Sequence, residues 1–133
     1  MTLTSLLLVA VGGGLGAVLR YITSHLGQSM TSGQFPIGTL LVNILGCGAI
    51  GIISAYLLHS NPQHRDTLRV LLIVGLLGGF TTYSSFAIDT LNLFQSGKVL
   101  SALAYVLLSN VLGIFAAWAC FSAGTGVFPS TPS

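Results

Sequence analysis

The sequence carries very little charge. Only six side chains are formally charged at neutral pH, four basic and two acidic, and glutamate is absent. A soluble domain of this size needs much more polar surface, because its exterior must face water. So little charge also excludes a basic surface for nucleic acid. The composition therefore predicts a protein that resides in a lipid bilayer and has no nucleic acid as a partner.

Cysteine is scarce as well. Cys47 and Cys120 are the only two, and both fall in apolar stretches, where a free thiol behaves like a small apolar side chain. We expect no disulfide between them. The sequence also lacks a nucleophile, a base and a third group at suggestive spacing, and it has no cluster of metal-binding side chains. We therefore do not expect an enzyme.

Long apolar segments are what the sequence has in abundance. Each is near or above the roughly 20 residues that span the hydrocarbon core of a membrane. The first is preceded by no basic residue, so we do not expect a cleaved signal peptide. These features predict an all-α integral membrane protein with one four-helix transmembrane domain, residues 1–123, and a polar tail, 124–133, that we expect to be disordered. The predicted spans cover about residues 3–20, 37–58, 67–94 and 99–122.

The basic residues divide evenly between the two sides of the predicted membrane. Arg65 and Arg69 lie near one side, and Arg20 and Lys98 near the other, so the positive-inside rule predicts no orientation. A chain without this bias can insert both ways, which allows two copies to pair antiparallel. A fixed orientation set by a partner is the alternative. The chain also holds small residues four apart, which let helices approach closely: Gly12 and Gly16, Gly13 and Ala17, and Gly75 and Gly79.

Two of the apolar spans contain a polar stripe. Thr39 and Asn43 are four apart in the second span and share one helical face. The Asn43 amide is either a hydrogen-bonding contact between helices or part of a functional site. In the fourth span Ser101, Tyr105 and Ser109 recur every four residues and form the second stripe.

The third span holds the densest polar signal. Residues 78–86 read Gly-Gly-Phe-Thr-Thr-Tyr-Ser-Ser-Phe. Paired glycines and consecutive hydroxyls form a poor continuous helix, so a break near mid-span is predicted, with a serine and threonine kink as the alternative. Carbonyls freed at such a break can coordinate a cation. Tyr83 and Phe86 are three apart, so both rings leave the helix on nearly the same side, and their partly positive edges can meet an anion.

Two charged residues bear on this interpretation. Asp89 is the only acid within a predicted span, and it would repel an anion, so we expect it off an anion pathway or near its mouth. Arg20, at the predicted end of the first span, either draws anions toward an entrance or extends to the membrane interface.

The sequence closely resembles the Fluc family of small fluoride channels, also called CrcB proteins. The resemblance covers nearly the whole chain and rests on three motifs, of which the third is the most specific. The motifs are residues 12–17 followed by Arg20 and Tyr21, residues 38–43, and residues 78–86. Two positions depart from the family pattern, since Tyr83 replaces the usual phenylalanine and Ser85 a common threonine.

The resemblance implies an antiparallel, dual-topology homodimer in the inner membrane of a prokaryote. It implies a fluoride-selective passive channel that exports fluoride down its electrochemical gradient and so relieves fluoride toxicity. Backbone carbonyls of Gly78 and Thr81 from both copies would hold a structural sodium ion. The pore residues implied, together with Thr39 from the polar stripe, are Asn43, Tyr83, Phe86, Ser84, Ser85, Tyr105 and Ser109.

Two other functions compete with this one. A small dual-topology exporter that couples protons to a cationic drug would share the length, the charge balance and the antiparallel pairing. It needs a carboxylate that exchanges protons with its substrate, and Asp89 is the sole candidate. A structural membrane subunit is the second rival, although it would need neither a broken helix nor polar stripes.

Overall fold

Four long helices account for most of the chain in the computed structural model, which describes residues 2–60 and 62–128. Each helix is long and apolar enough to cross a membrane. The prediction of an all-α membrane protein with four spans is therefore confirmed. The spans are α1 (Leu3–Ser29), α2 (Ile37–His59), a third span (Arg65–Gln95) and a last helix, α6 (Val99–Val127).

Two helices extend beyond their predicted ends. Helix α1 continues to Ser29, which places Arg20 inside it, and α6 continues to Val127, through the first residues of the predicted tail. Hydropathy indicates where a segment leaves the apolar core of the membrane. The end of a helix depends instead on capping and packing. Here Phe128 packs edge-on against Tyr56 of α2, with ring centroids 5.2 Å apart, and supports the longer α6. Residues 129–133 lie outside the described residues.

The third span is built from several segments. Helix α3 (Arg65–Leu68) leads into a π-helix (Arg69–Leu77), a wide form that is rare in proteins. A short α4 (Gly78–Phe80) follows, and α5 (Tyr83–Gln95) completes the span. Between α4 and α5, Thr81 (φ −79°, ψ 156°) and Thr82 (φ −149°, ψ 111°) have extended backbone angles. The last α-helical hydrogen bond of the first part runs from the Thr81 amide to the Leu77 carbonyl, and the Thr82 amide does not continue the series.

Glycines let α1 pack closely against the third span. A Cβ atom added at Gly12 would lie 2.6 Å from the carbonyl oxygen of Leu71, and one added at Gly79 would collide with the backbone of Gly13. The predicted close approach of helices at these small residues is confirmed. Helix α2 packs mainly on α6, and α1 packs on the π-helix and α4 of the third span.

The first and third connections lie at the same end of the molecule. The Lys98 ammonium donates a hydrogen bond to the side chain of Gln34. Within the first connection, the Gln28 amide donates to the carbonyls of Gly33 (3.3 Å) and Phe35 (3.2 Å) and accepts from the Gly38 amide (3.3 Å). Gln28 thereby fixes the turn that leads into α2.

Candidate functional site

The side chain of Asn43 is hydrogen-bonded to the backbone of Thr82 at both ends of its amide. Its Nδ2 donates to the Thr82 carbonyl (3.0 Å), and its Oδ1 accepts from the Thr82 amide (2.8 Å). In a continuous helix the Thr82 amide would donate to the carbonyl of Gly78. The Asn43 side chain therefore replaces the backbone partners that the Thr82 amide and carbonyl would have in a continuous helix.

Thr82 also forms the N-terminal cap of α5. Its Oγ1 accepts from the Ser85 amide (3.1 Å), donates to the Ser85 hydroxyl (3.0 Å) and lies 3.3 Å from the Ser84 hydroxyl. Threonine is a favoured cap residue, because its hydroxyl satisfies a free amide of the first turn. Sequence analysis did not select Thr82. The available signal was a threonine directly before a run of helix-compatible residues that follows a predicted break.

A glycine of α2 makes room for the extended segment. A Cβ atom added at Gly46 would collide with the side-chain methyl of Thr81. The Thr81 amide and hydroxyl both donate to the carbonyl of Leu77, each at 2.9 Å. Gly46 therefore holds α2 and the third span at a distance that the Asn43 side chain can bridge.

Two carbonyl groups beside this contact are free to bind something else. Among the described residues, no hydrogen bond is donated to the carbonyl of Gly78 or to that of Thr81. Both residues line the same cavity. Their oxygens are hard ligands of the kind that suit an alkali or alkaline-earth cation. Within the described residues there is no group of three or more His, Cys, Asp or Glu side chains that could hold a metal ion.

Four aromatic rings form a continuous column beside the extended segment. Tyr83 lies against Phe86 with ring centroids 5.5 Å apart, Phe86 against Tyr105 at 5.3 Å, and Tyr105 against Phe35 edge-on at 5.5 Å. The sequence pattern identified the first three rings. Phe35 lies in the first connection and was missed, because its partner Tyr105 is distant in sequence.

Thr82 lines two cavities, and we call the segment around it the junction. We call the first, of about 380 Å³, the aromatic cavity; it contains Asn43, Tyr83 and Phe86. The second, the polar cavity, measures about 560 Å³ and contains Arg20, Tyr21, Ser24, His25 and Gln28. Hydroxyls, amides and ring edges line the two cavities beside the junction, and none of the residues that line the aromatic cavity carries a charge.

Most of the residues selected from the sequence line one of these two cavities. Ser109 borders the aromatic cavity with a buried Oγ that has no hydrogen-bond partner among the described residues. Tyr105 borders neither cavity, because its side chain is 0 % exposed and its hydroxyl donates to Asp89 Oδ2 at 3.4 Å. Asp89 borders a third cavity of about 260 Å³ at the end of α5. The remaining selected residues line the aromatic cavity (Asn43, Gly78, Thr81, Tyr83 and Phe86) or the polar cavity (Arg20, Thr39, Ser84 and Ser85).

Four apolar spans with polar cavities between them define a small multi-pass membrane protein. The profile of the CrcB family, described as "CrcB-like protein, Camphor Resistance (CrcB)", matches residues 7–121. The chain belongs to this family.

Several relatives are similar over most of their length. The protein named fluoride-specific ion channel FluC of Paracoccus denitrificans (strain Pd 1222) is 48% identical over 120 residues, 90% of this chain and 94% of the relative. The proteins of the same name from Francisella philomiragia and from Coxiella burnetii (strain Dugway 5J108-111) are 43% and 44% identical, each over 114 residues. These alignments cover 84% and 86% of this chain and 87% and 92% of the two relatives.

Proposed function

We propose that this protein is a fluoride channel that lets fluoride leave the cell passively, down its electrochemical gradient. The observation that carries the proposal is the junction at Thr82, which lines both cavities and lies beside amide, hydroxyl and ring-edge groups, with no cationic side chain in the aromatic cavity. The names of the relatives from Paracoccus, Francisella and Coxiella support the choice of ion.

The chemistry of this junction suits a small, strongly hydrated anion. A pore must replace the ion's water with hydrogen-bond donors and still release the ion. The hydroxyls of Ser84, Ser85 and Ser109 offer neutral donors, and the edges of Tyr83 and Phe86 offer partial positive charge. A lysine or arginine at this depth would bind the anion more tightly and slow its release. Arg20 lies in the polar cavity, at the approach to the junction.

Asn43 combines two tasks in this proposal. Its Oδ1 and one N–H group hold the backbone of Thr82. An amide carries two N–H groups, so the second remains available to an anion in the aromatic cavity. Asn43 would therefore keep the junction open and contribute one weak donor to it.

The proposed assembly is an antiparallel, dual-topology homodimer. Tyr83 is 81 % exposed in a single chain, beside the free carbonyls of Gly78 and Thr81. Irregular backbone at mid-span is tolerated only where protein or a wet cavity covers it. A second copy would cover this surface and would bring a second pair of carbonyls opposite the first. A sodium ion between the two pairs would offset the repulsion of their oxygens, and its role would be structural.

Purified protein in liposomes loaded with fluoride tests the proposal. An imposed potassium potential should drive fast fluoride efflux, read with a fluoride electrode, and chloride-loaded liposomes should release far less. Absence of fluoride efflux would refute the channel. Efflux that requires an opposing proton gradient would favour the proton-coupled exporter instead.

A further inference from the structure

The polar cavity contains a histidine to which the proposed pathway assigns no task. His25 lies on α1 five residues after Arg20, and both side chains line this cavity. The His25 side chain is exposed in the single chain. Histidine is the side chain whose charge ordinarily changes between pH 5 and 8, whereas arginine stays charged throughout this range. The charge of this cavity can therefore depend on pH.

Tyr21 lies beside the His25 ring. The two residues are four apart on α1 and therefore share a helical face. Their rings are nearly parallel, with an angle of 12° between the planes and 6.3 Å between the centroids. Tyr21 lines the polar cavity as well. The imidazole therefore lies at the wall of this cavity, where a positive charge on it would act on ions inside.

Among the described residues, no acid lines the polar cavity. Arg20 and Tyr21 are the other charged or titratable groups that line it, and both belong to α1 with His25. The lining residues from α2 and the third span carry no charge: Thr39, Val42, Thr82, Ser84 and Ser85. Arg20 supplies one positive charge, and protonation of His25 would add a second that no lining carboxylate offsets.

We infer that protonation of His25 increases fluoride flux, because it concentrates the anion in the polar cavity at the approach to the junction. A cleft lined by charge of one sign raises the local concentration of counter-ions. At low fluoride, passive flux rises in proportion to the concentration of the ion at the entrance. The inference rests on the proposed fluoride channel and gives it a dependence on pH that Arg20, with its permanent charge, cannot supply.

An acid medium is the condition in which this response is useful. Hydrogen fluoride is a weak acid whose neutral form crosses lipid bilayers, so acid outside the cell increases the fluoride that accumulates inside. In the proposed antiparallel dimer the two copies of His25 lie toward opposite faces of the membrane, and one of them meets the outer medium. Protonation of that copy would raise the flux when the fluoride load is greatest.

Fluoride efflux from liposomes at equal pH on both sides tests this inference. Equal pH removes the proton gradient, and protein-free liposomes measure the leak of hydrogen fluoride at each pH. Well below saturation, efflux through the parent protein should rise about threefold from pH 8 to pH 6, the effect of one charge added roughly 10 Å from the ion in a wet cavity. Added salt of impermeant ions should shrink this rise, because it screens the charge.

Two substitutions fix the charge at this position. His25→Gln should conduct at the parent's alkaline rate at both pH values, and His25→Arg should conduct near the parent's acid rate at both. His64→Gln is the matched control, because His64 is exposed directly before α3 and lines none of the three cavities. This control should keep the rise in acid.

A rise that persists in His25→Gln, or that is missing from the parent protein, would overturn the inference. A rise that added salt leaves unchanged, or an arginine variant that conducts at the alkaline rate, would overturn it too. Size-exclusion chromatography checks that the His25 variants assemble like the parent, and variants that fail to assemble would show that His25 is structural, which also overturns it. Absence of efflux from the parent protein at every pH would instead refute the channel itself.

Discussion

Asn43 on α2 and Thr82 in the third span exchange two hydrogen bonds, at 3.0 Å and 2.8 Å, across 39 positions of sequence. One side-chain amide thus replaces two backbone partners. This relationship changes the expected effect of substituting Asn43, because the residue supports the fold of the junction as well as its chemistry.

Asn43→Ala should lower both stability and flux. The amide and carbonyl of Thr82 would lose their partners, and each unsatisfied buried group costs about 1–3 kcal/mol. Thermal unfolding in detergent and fluoride efflux from liposomes measure the two effects. Asn43→Asp keeps the acceptor for the Thr82 amide, so it should be more stable than the alanine variant, yet its charge should abolish fluoride flux. An alanine variant with the parent's stability would contradict the structural role.

Gly46→Ala should destabilise the protein, because its methyl group would collide with the side-chain methyl of Thr81. Overpacking of this kind costs about 1–3 kcal/mol. Adding Thr81→Ala removes that methyl and leaves ordinary contacts of 3.4 Å to Phe80 Cδ1 and 3.7 Å to Thr81 Cβ, so the double variant should recover most of the loss. Thermal unfolding measures both. Gly14→Ala is the control, because a Cβ there meets nothing within 4 Å. Failure of Thr81→Ala to restore stability would show that the close approach lies elsewhere.

Phe86→Ile should reduce fluoride efflux at least about tenfold while the protein still folds. Isoleucine keeps apolar bulk but has no ring edge for an anion. Phe115→Ile is a matched control, since Phe115 lies on α6 beside Trp118 and is exposed in the single chain. The control should conduct like the parent protein. Equal fluoride efflux from both variants would contradict a role for Phe86 in the fluoride pathway.

Replacing sodium with a large organic cation should dissociate the dimer in detergent. A sodium gradient should neither reverse fluoride flux nor drive it. The free carbonyls of Gly78 and Thr81 would face their counterparts with no cation between them. Size-exclusion chromatography with light scattering measures the monomer fraction, and readdition of sodium should restore the dimer. A dimer that stays intact without sodium would contradict the structural role proposed for the ion.

Much of the helical architecture follows from the sequence, because apolar length determines membrane spans directly. The glycine pairs of α1 and the third span were also predictable, since small residues four apart mark close packing. The ends of α1 and α6 were not, because hydropathy carries no information about capping, and Phe128 extends α6 through a contact with Tyr56.

The sequence predicts which helical face each residue of the candidate site occupies. It does not predict which distant residue each one contacts. Periodicity placed Asn43 and Thr39 on one side of α2, but no local rule connects Asn43 to a backbone group 39 residues away. Thr82 and Phe35 were missed for the same reason, since their roles depend on long-range contacts. Tyr105 was selected for its hydroxyl, and the structure directs that hydroxyl to Asp89.

The π-helix has an evolutionary consequence. Each of its turns closes one residue later than an α-helical turn, so it holds surplus residues relative to an α-helix of the same number of turns. A lineage could delete a single residue within Arg69–Leu77 by tightening one turn, without rotating α5 relative to α2. The same deletion within residues 83–88 would turn the following side chains by about 100° and separate Asp89 from Tyr105. Length variation among descendants of this sequence should therefore concentrate ahead of the extended threonines.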